Sequence, residues 1–454
     1  MPYPLAHGIG GIKDLPVPLW LFYYGAALVL VLSFVALWLL WKRPILAEKS
    51  RGRPLPEGLA RVVGSRALHV VAAGLSFAVF LLVVVAAAIG DTSPEENLAP
   101  RFVFVIFWLG LPALSILFGN VWTVLSPWRA AADAAAWLSE RTGARWETPF
   151  AYPERLGRWP GAVLLFAFAA LELAYWDPGD PRALAAAILI YSTITWLAML
   201  AFGRDAWTEN GEAFAVYFGL LARIAPFAQR DGRPIVRWPF TGLANLDARP
   251  GTLAFVAVML GSVAFDGFSQ TEYWAVDFRA RLMRPVIEES PDLARVLGTL
   301  LAVAGLAGMI VLVALAYIAA MKIASRAVDY DGDLVGAFLG SLVPIALAYV
   351  VAQYFSFFVR ESQYLVRFAS DPFGFGWNLF GSEDYRPNLN PLSSKTIWYA
   401  QVAALVIGHV AGLVLAHDKA VELFRSPRKA AISQYAMLAL MVVYTIAGLW
   451  LLSR

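Results

Sequence analysis

The sequence predicts an all-α protein, a polytopic transmembrane helical bundle of about ten spans with surface amphipathic helices. Of its 454 residues, 59% are hydrophobic and only 15% are charged, and long apolar runs recur along the whole chain. Soluble domains are about 45–50% apolar and about 25% charged, and a soluble fold of this size could not hide so much apolar surface. We therefore expect residues 1–454 to form a single integral membrane domain in the lipid bilayer, with no separate soluble domain.

A helix needs about 20 apolar residues to cross the hydrocarbon core. The first apolar run is too long for the apolar core of a signal peptide, so we expect it to be a span. Ten stretches are predicted to cross, the fourth and sixth being short: Leu19–Trp41, Ala67–Gly90, Phe102–Leu125, Gly161–Trp176, Ala183–Phe202, Gly251–Asp266, Val296–Met321, Leu334–Val359, Thr396–Ala416 and Ile432–Leu452.

The distribution of lysine and arginine predicts the orientation, because cytoplasmic loops carry an excess of both. With ten spans and an external N-terminus, internal segments hold 24 of the 36 basic residues and external segments hold 12. The first internal loop, Lys42–Arg66, alone carries seven. Both termini are therefore predicted to be external.

Composition also limits the chemistry. The absence of cysteine excludes disulfides, thiolate metal sites and cysteine nucleophiles, and four histidines are too few for most multi-histidine metal sites. We expect no cofactor and no tightly bound metal. A net charge of only +3 gives no reason to expect nucleic acid as a partner.

Three of the long loops have interpretable patterns. An alanine-rich helix, Ala130–Ser139, is expected at the inner surface. The amphipathic run from Ala213 to Ile224 suits an interfacial helix or a partial re-entry into the membrane. The glycines and the proline in Asp371–Trp377 predict ordered turns.

Two acidic residues in apolar helices are the leading candidates for a catalytic site. A charge at the bilayer centre costs about 2.5–3.5 kcal/mol on insertion scales, so such residues persist mainly where they function or pair. Glu172 lies in the outer half of span four, where it is either a site residue or a paired structural carboxylate. Asp266 ends span six, where it is either a site residue or a cap on the turn before Gly267.

The histidines are weaker candidates. His409 and His417 are eight residues apart on one predicted helix, so a straight helix cannot bring them to one metal. If any metal binds, an inner cluster of His69, His409 and His417 is the first place to look, although interhelical hydrogen bonds explain the same residues. His7, in a glycine-rich stretch before the first span, is a tentative third catalytic candidate.

Further polar residues inside or beside the spans could line a substrate path or form a polar network. They are Asn120, Gln353 and Tyr354, together with His409. Polar side chains of this kind also hold neighbouring transmembrane helices together, and that interpretation stays open.

Several phrases resemble bacterial multi-pass membrane proteins that carry the label fenitrothion hydrolase. The resemblance extends from His7 to Asp418 and rests on these segments: His7-Gly-Ile-Gly-Gly11, Gly211-Glu-Ala-Phe214, Ala264-Phe-Asp-Gly-Phe268, Ala348-Tyr-Val-Val351 and His409-Val-Ala-Gly412. It implies a bacterial cytoplasmic membrane and hydrolysis of an organophosphate triester. It supplies no catalytic residues.

Three functions are compatible with these observations. The chain could be a membrane-embedded hydrolase with Glu172 and Asp266 as base or ligands. It could be a transporter or permease in which intramembrane carboxylates carry protons or bind substrate. It could also be a non-catalytic subunit that braces protein partners in a membrane complex. Fold class alone does not separate them.

Overall fold

The computed structural model describes residues 18–143 and 148–453 of the chain. His7 lies outside these residues. Within them, ten helices are long and apolar enough to cross a membrane by length and composition. The all-α part of the fold prediction is confirmed, since the strands amount to one small sheet.

The elements follow one another as α-helices with three short strands. The α-helices are α1 (Leu19–Leu40), α2 (Leu46–Lys49), α3 (Glu57–Val63), α4 (Arg66–Ile89), α5 (Leu98–Arg101), α6 (Leu111–Phe118), α7 (Trp122–Leu125), α8 (Pro127–Arg141), α9 (Trp159–Leu173), α10 (Pro181–Phe202), α11 (Arg204–Asn210), α12 (Ala213–Ala222), α13 (Thr252–Ser269), α14 (Arg281–Glu289), α15 (Pro291–Val328), α16 (Leu334–Phe338), α17 (Leu342–Glu361), α18 (Leu365–Ser370), α19 (Ser394–Leu423) and α20 (Pro427–Leu452). The strands are β1 (Arg53–Pro54), β2 (Phe227–Arg230) and β3 (Arg233–Val236). Wider π-helical turns join α5 to α6 (Phe102–Gly110) and precede α14 (Tyr273–Ala280), and 3-10 turns occupy Glu154–Leu156, Thr241–Leu243, Leu339–Ser341 and Ser362–Tyr364.

Loop contacts divide the bundle into two faces. On the first face β1 pairs with β3, which joins loops far apart in sequence, and Arg129 binds Asp205 at 2.6 Å. On the second face the amide of Asp91 donates to the carbonyl of Phe373 at 2.7 Å. We call the first the basic face, because its loops hold 17 of the 36 lysines and arginines: 41–65, 119–143, 148–158, 203–251 and 424–426. The other is the opposite face.

Helix α13 is the centre of the bundle. Every residue from Phe255 to Gly267 is buried, and α13 packs against α9, α15, α17 and α20. Gly261 makes the approach to α15 possible, because a side chain there would collide with the backbone of Ile310. Asp266 is therefore inside the helix rather than at its end, which corrects the predicted boundary at that residue.

Helix α12 decides between the two interpretations of the amphipathic run. Nine of its ten residues are buried, and it packs against α6, α9 and α17 inside the bundle. The interfacial-helix alternative is therefore wrong for this segment. At ten residues α12 is too short to cross the hydrocarbon core, so it is an internal half-helix.

Other boundaries shift for local reasons. The predicted third span ran to Leu125, but its helix ends at Phe118 because Gly119 takes a φ of 90°, which reverses the chain direction. Helix α15 is longer than its predicted span and extends to Val328. The next residue, Asp329, has the left-handed backbone conformation, which ends the helix. The surface helix α8 is confirmed and is longer than predicted.

The predicted turns after α18 are confirmed. Asp371 accepts five backbone N–H groups, from Phe373 through Trp377, at 2.6–3.2 Å. Gly374 and Gly376 have φ values of 72° and 77°, which lets the backbone wrap around one carboxylate. A single acidic side chain thus orders the loop on the opposite face.

Candidate functional site

Four of the polar residues singled out in the sequence meet in the interior of the bundle. The side-chain amide of Gln353 donates to Oδ2 of Asp266 at 3.0 Å, and the hydroxyl of Tyr354 also donates to this carboxylate. Glu172 interacts electrostatically with both Asp266 and Tyr354. We call these residues, with Tyr217, the carboxylate cluster. They come from α9, α12, α13 and α17.

Tyr217 was not predicted, and α12 brings it to the cluster. Its ring stacks on Trp108 with centroids 4.9 Å apart, and its hydroxyl interacts electrostatically with Glu172. That hydroxyl is buried and has no hydrogen-bond partner within the described residues. A donor is therefore available beside Glu172 without being committed elsewhere.

Glu172 is the exceptional member of the cluster. Its side chain is only 4% exposed, and in the described part of the chain it makes no hydrogen bond and no ion pair. Burying an ionised carboxylate without compensation is so costly that the group takes up a proton or a cation instead. The second carboxylate, Asp266, increases that cost through like-charge repulsion. Glu172 is therefore suited to reversible binding of a proton or a small cation.

A second buried glutamate, Glu212, shows the contrasting arrangement. Its carboxylate accepts four hydrogen bonds: from the indole of Trp122 at 3.0 Å, from the hydroxyl of Tyr191, and from the amides of Phe214 and Ala215 at 3.0 and 2.8 Å. Glu212 is the N-cap of α12, where a negative charge also complements the helix dipole. These four bonds fix the start of α12 and link it to α7 and α10, which indicates a structural role for Glu212.

The histidines lie apart from the carboxylate cluster. His417 is held between the carbonyl of Trp41 at 3.1 Å and the side-chain amide of Gln434 at 3.2 Å, as the interhelical hydrogen-bond interpretation requires. Nδ1 of His409 bonds the carbonyl of Leu405 in its own helix, and its Nε2 is buried without a partner among the described residues. His69 is half-buried on α4.

No group of three or more His, Asp or Glu side chains in residues 18–143 and 148–453 could hold a metal ion together. His69, His409 and His417 thus do not form a cluster. Asp418, next to His417, accepts from the indole of Trp41 and from two amides at the start of α2. The end of α19 therefore fixes the loop that follows α1.

Asn120 is also separate from the cluster. It follows the chain reversal at Gly119, is exposed on the basic face, and lines a different cavity. The sequence therefore located four members of the site, Glu172, Asp266, Gln353 and Tyr354, but not Tyr217.

Together the fold and the cluster define a class of protein, a multi-pass helical membrane protein with two carboxylates buried side by side in its interior. No protein-family model, no curated protein and no solved structure matches this chain.

Proposed function

We propose that this protein is a transporter of a bacterial cytoplasmic membrane in which Glu172 binds and releases a proton. The observation that carries the proposal is the state of Glu172: buried, next to Asp266, and without a hydrogen bond or cation in the described residues. Ionisable residues in this position commonly belong to proton relays in pumps and transporters. The charge distribution supports placing the basic face in the cytoplasm and both termini outside.

The surroundings of Glu172 support the same function. Gln353 and Tyr354 stabilise the charge of Asp266, so Glu172 is the member of the pair that would exchange its proton. The half-helix α12 presents Tyr217 to Glu172 from inside the bundle. Discontinuous helices at a membrane-embedded site are a recurring feature of secondary transporters.

The proposal is tested by proton flux. Full-length protein is reconstituted into vesicles that contain a pH-sensitive dye, the membrane potential is clamped with valinomycin and potassium, and the outside is acidified. We expect the internal pH to fall faster than in protein-free vesicles, and Glu172→Gln to abolish the difference. Glu140→Gln is the matched control, because Glu140 is exposed at the end of α8 and makes no ion pair with any described residue.

Equal flux in wild-type and protein-free vesicles would contradict the proposal, and so would equal flux in wild type and Glu172→Gln. Infrared spectroscopy gives a second measurement that needs no transported substrate. The absorption of a protonated carboxyl group should be present in wild type and in Glu140→Gln, and it should be weaker in Glu172→Gln.

Hydrolysis is the second candidate function, favoured by the resemblance to fenitrothion hydrolases and by a carboxylate pair that could activate water. Asp266, oriented by Gln353 and Tyr354, would be the general base. Incubation of the purified protein with fenitrothion should then release a coloured nitrophenol, and Asp266→Asn should stop the release. No release from the wild-type protein would reject this candidate. The role as a subunit of a membrane complex stays a prediction.

A further inference from the structure

A polar cavity of about 360 Å³ lies on the basic face, and none of its lining residues belongs to the carboxylate cluster. It is formed where α11, α12 and the start of α9 meet the loop before α7. Among its lining residues are three arginines, Arg129, Arg158 and Arg223, together with Asn120, Thr208 and Glu209. We call it the arginine pocket.

Arg158 is buried at the pocket and forms no ion pair with a described acidic residue. Its side chain is 6% exposed, and Nη1 donates to the carbonyl of Asp247 and the hydroxyl of Thr252, both at 3.1 Å. Nε and Nη2 make no hydrogen bond within the described residues. Two donors of this guanidinium are therefore uncommitted.

Arg223 is the second guanidinium of the pocket that forms no ion pair with a carboxylate in the described residues. Among the described residues its side chain donates only to the carbonyl of Gly242, at 3.2 Å, and its charge repels that of Arg158. Burial lowers the pKa of Arg223, with Asp247 and Glu209 acting in the opposite direction from nearby. Arginine nevertheless stays charged in proteins, so the two positive charges persist.

The acidic residues that line the pocket are already paired with other arginines. Asp205 binds Arg129 at 2.6 Å, and Glu209 binds Arg249 at 2.8 Å. The pocket also holds the hydroxyl of Thr208, which is buried and has no partner in the described residues. Two guanidiniums that form no ion pair among the described residues, together with a residue that carries a spare hydroxyl donor, line a space large enough for a small molecule.

We propose that the arginine pocket binds the phosphate group of an anion, with Arg158 and Arg223 as its principal ligands and Thr208 as an additional donor. Guanidinium groups match the oxygens of phosphate and form strong, charge-assisted hydrogen bonds with them. The phosphate can belong to a soluble anion or to a lipid headgroup, because the pocket lies among the loops of the basic face, at the ends of the predicted spans. The site is separate from the carboxylate cluster and does not rest on the proposed transport function.

The test uses full-length protein purified in detergent. Binding of inorganic phosphate is measured by calorimetry, and binding of phosphatidylglycerol is measured by native mass spectrometry. Each lost charge-assisted bond should weaken binding about tenfold, so Arg223→Gln and Arg158→Gln should each bind at least about tenfold more weakly. Arg233→Gln is the matched control, because Arg233 is an exposed arginine on the same face and makes no ion pair in the described part of the chain.

The results separate the two sources. Loss of phosphate binding with unchanged lipid binding identifies a soluble anion, and the converse identifies a headgroup. The proposal is overturned if neither probe binds the wild type, or if both bind Arg223→Gln as tightly as they bind Arg233→Gln. Arg158→Gln could unfold, since Nη1 holds two elements together; Arg223→Gln then decides the question. Glu172→Gln should bind both probes normally, which keeps this test independent of the transport test.

Discussion

The two buried glutamates allow a direct comparison, because replacing each with glutamine should affect a different property of the protein. Glutamine keeps the shape of glutamate but removes its charge and replaces one acceptor oxygen with a donor NH₂ group. Glu212 accepts four hydrogen bonds, two on each oxygen. Glu172 accepts none within the described residues. Glu212→Gln should therefore destabilise the fold, while Glu172→Gln should leave it stable and remove activity.

The magnitude follows from these contacts. Hydrogen bonds to a charged acceptor are each worth about 1.5–3 kcal/mol. In Glu212→Gln two of the four donors face an NH₂ group, so the expected loss of unfolding free energy is about 3–6 kcal/mol. Glu172→Gln breaks no hydrogen bond within the described residues, so we expect a change in unfolding free energy below about 1 kcal/mol.

The assay is unfolding by sodium dodecyl sulfate in mixed micelles, followed by tryptophan fluorescence. Trp122, which donates to Glu212, lies at the affected site and should report its loss. Equal stability of Glu212→Gln and wild type would refute the structural role of Glu212. A loss above about 2 kcal/mol in Glu172→Gln would refute the view that Glu172 is functional rather than structural.

Three further predictions concern other parts of the molecule. Reporter fusions after Gly90 should report the periplasm and fusions after Asp231 the cytoplasm; the reverse pattern would overturn the orientation. Asp371→Ala removes the acceptor of five backbone amides, so limited proteolysis should cut residues 372–380 faster than in wild type, and unchanged cleavage would show that the loop is held by other contacts. Elemental analysis of purified protein should find no stoichiometric transition metal; if one is found, His409→Ala is the first variant to examine for its loss.

Hydropathy predicted the ten helices that, within the described residues, are long and apolar enough to cross a membrane, because the bilayer imposes a minimum apolar length on each span. It did not predict where the helices end, since caps and backbone conformation decide that. At α15 the N-cap Ser290 accepts the amide of Leu293, and Asp329 ends the helix with a left-handed residue, so the helix extends beyond its apolar part at both ends. The hairpin of β2 and β3 could have been predicted from Asp231-Gly232, since this pair of residues is favoured in tight hairpin turns.

The candidate site was predictable residue by residue but not as a cluster. The cost of burying charge in lipid singled out Glu172 and Asp266 from the sequence. Their proximity depends on how α9 and α13 pack, which no local pattern specifies. Tyr217 was not predicted, because α12 is too short to be recognised as a span from its hydropathy. An isolated tyrosine in an apolar run is also usually a packing residue.

The burial of α12 also imposes an order on biosynthesis. A ten-residue apolar helix cannot be released into the bilayer as a span when it leaves the ribosome. One of the helices that pack against α12 is α17, which begins at Leu342, well over a hundred residues later in the chain. Until α17 is made, α12 lacks one of the helices that it packs against, so part of its apolar surface has no partner from that helix. Helix α12 thus makes packing of the first half of the chain depend on a helix from the second half.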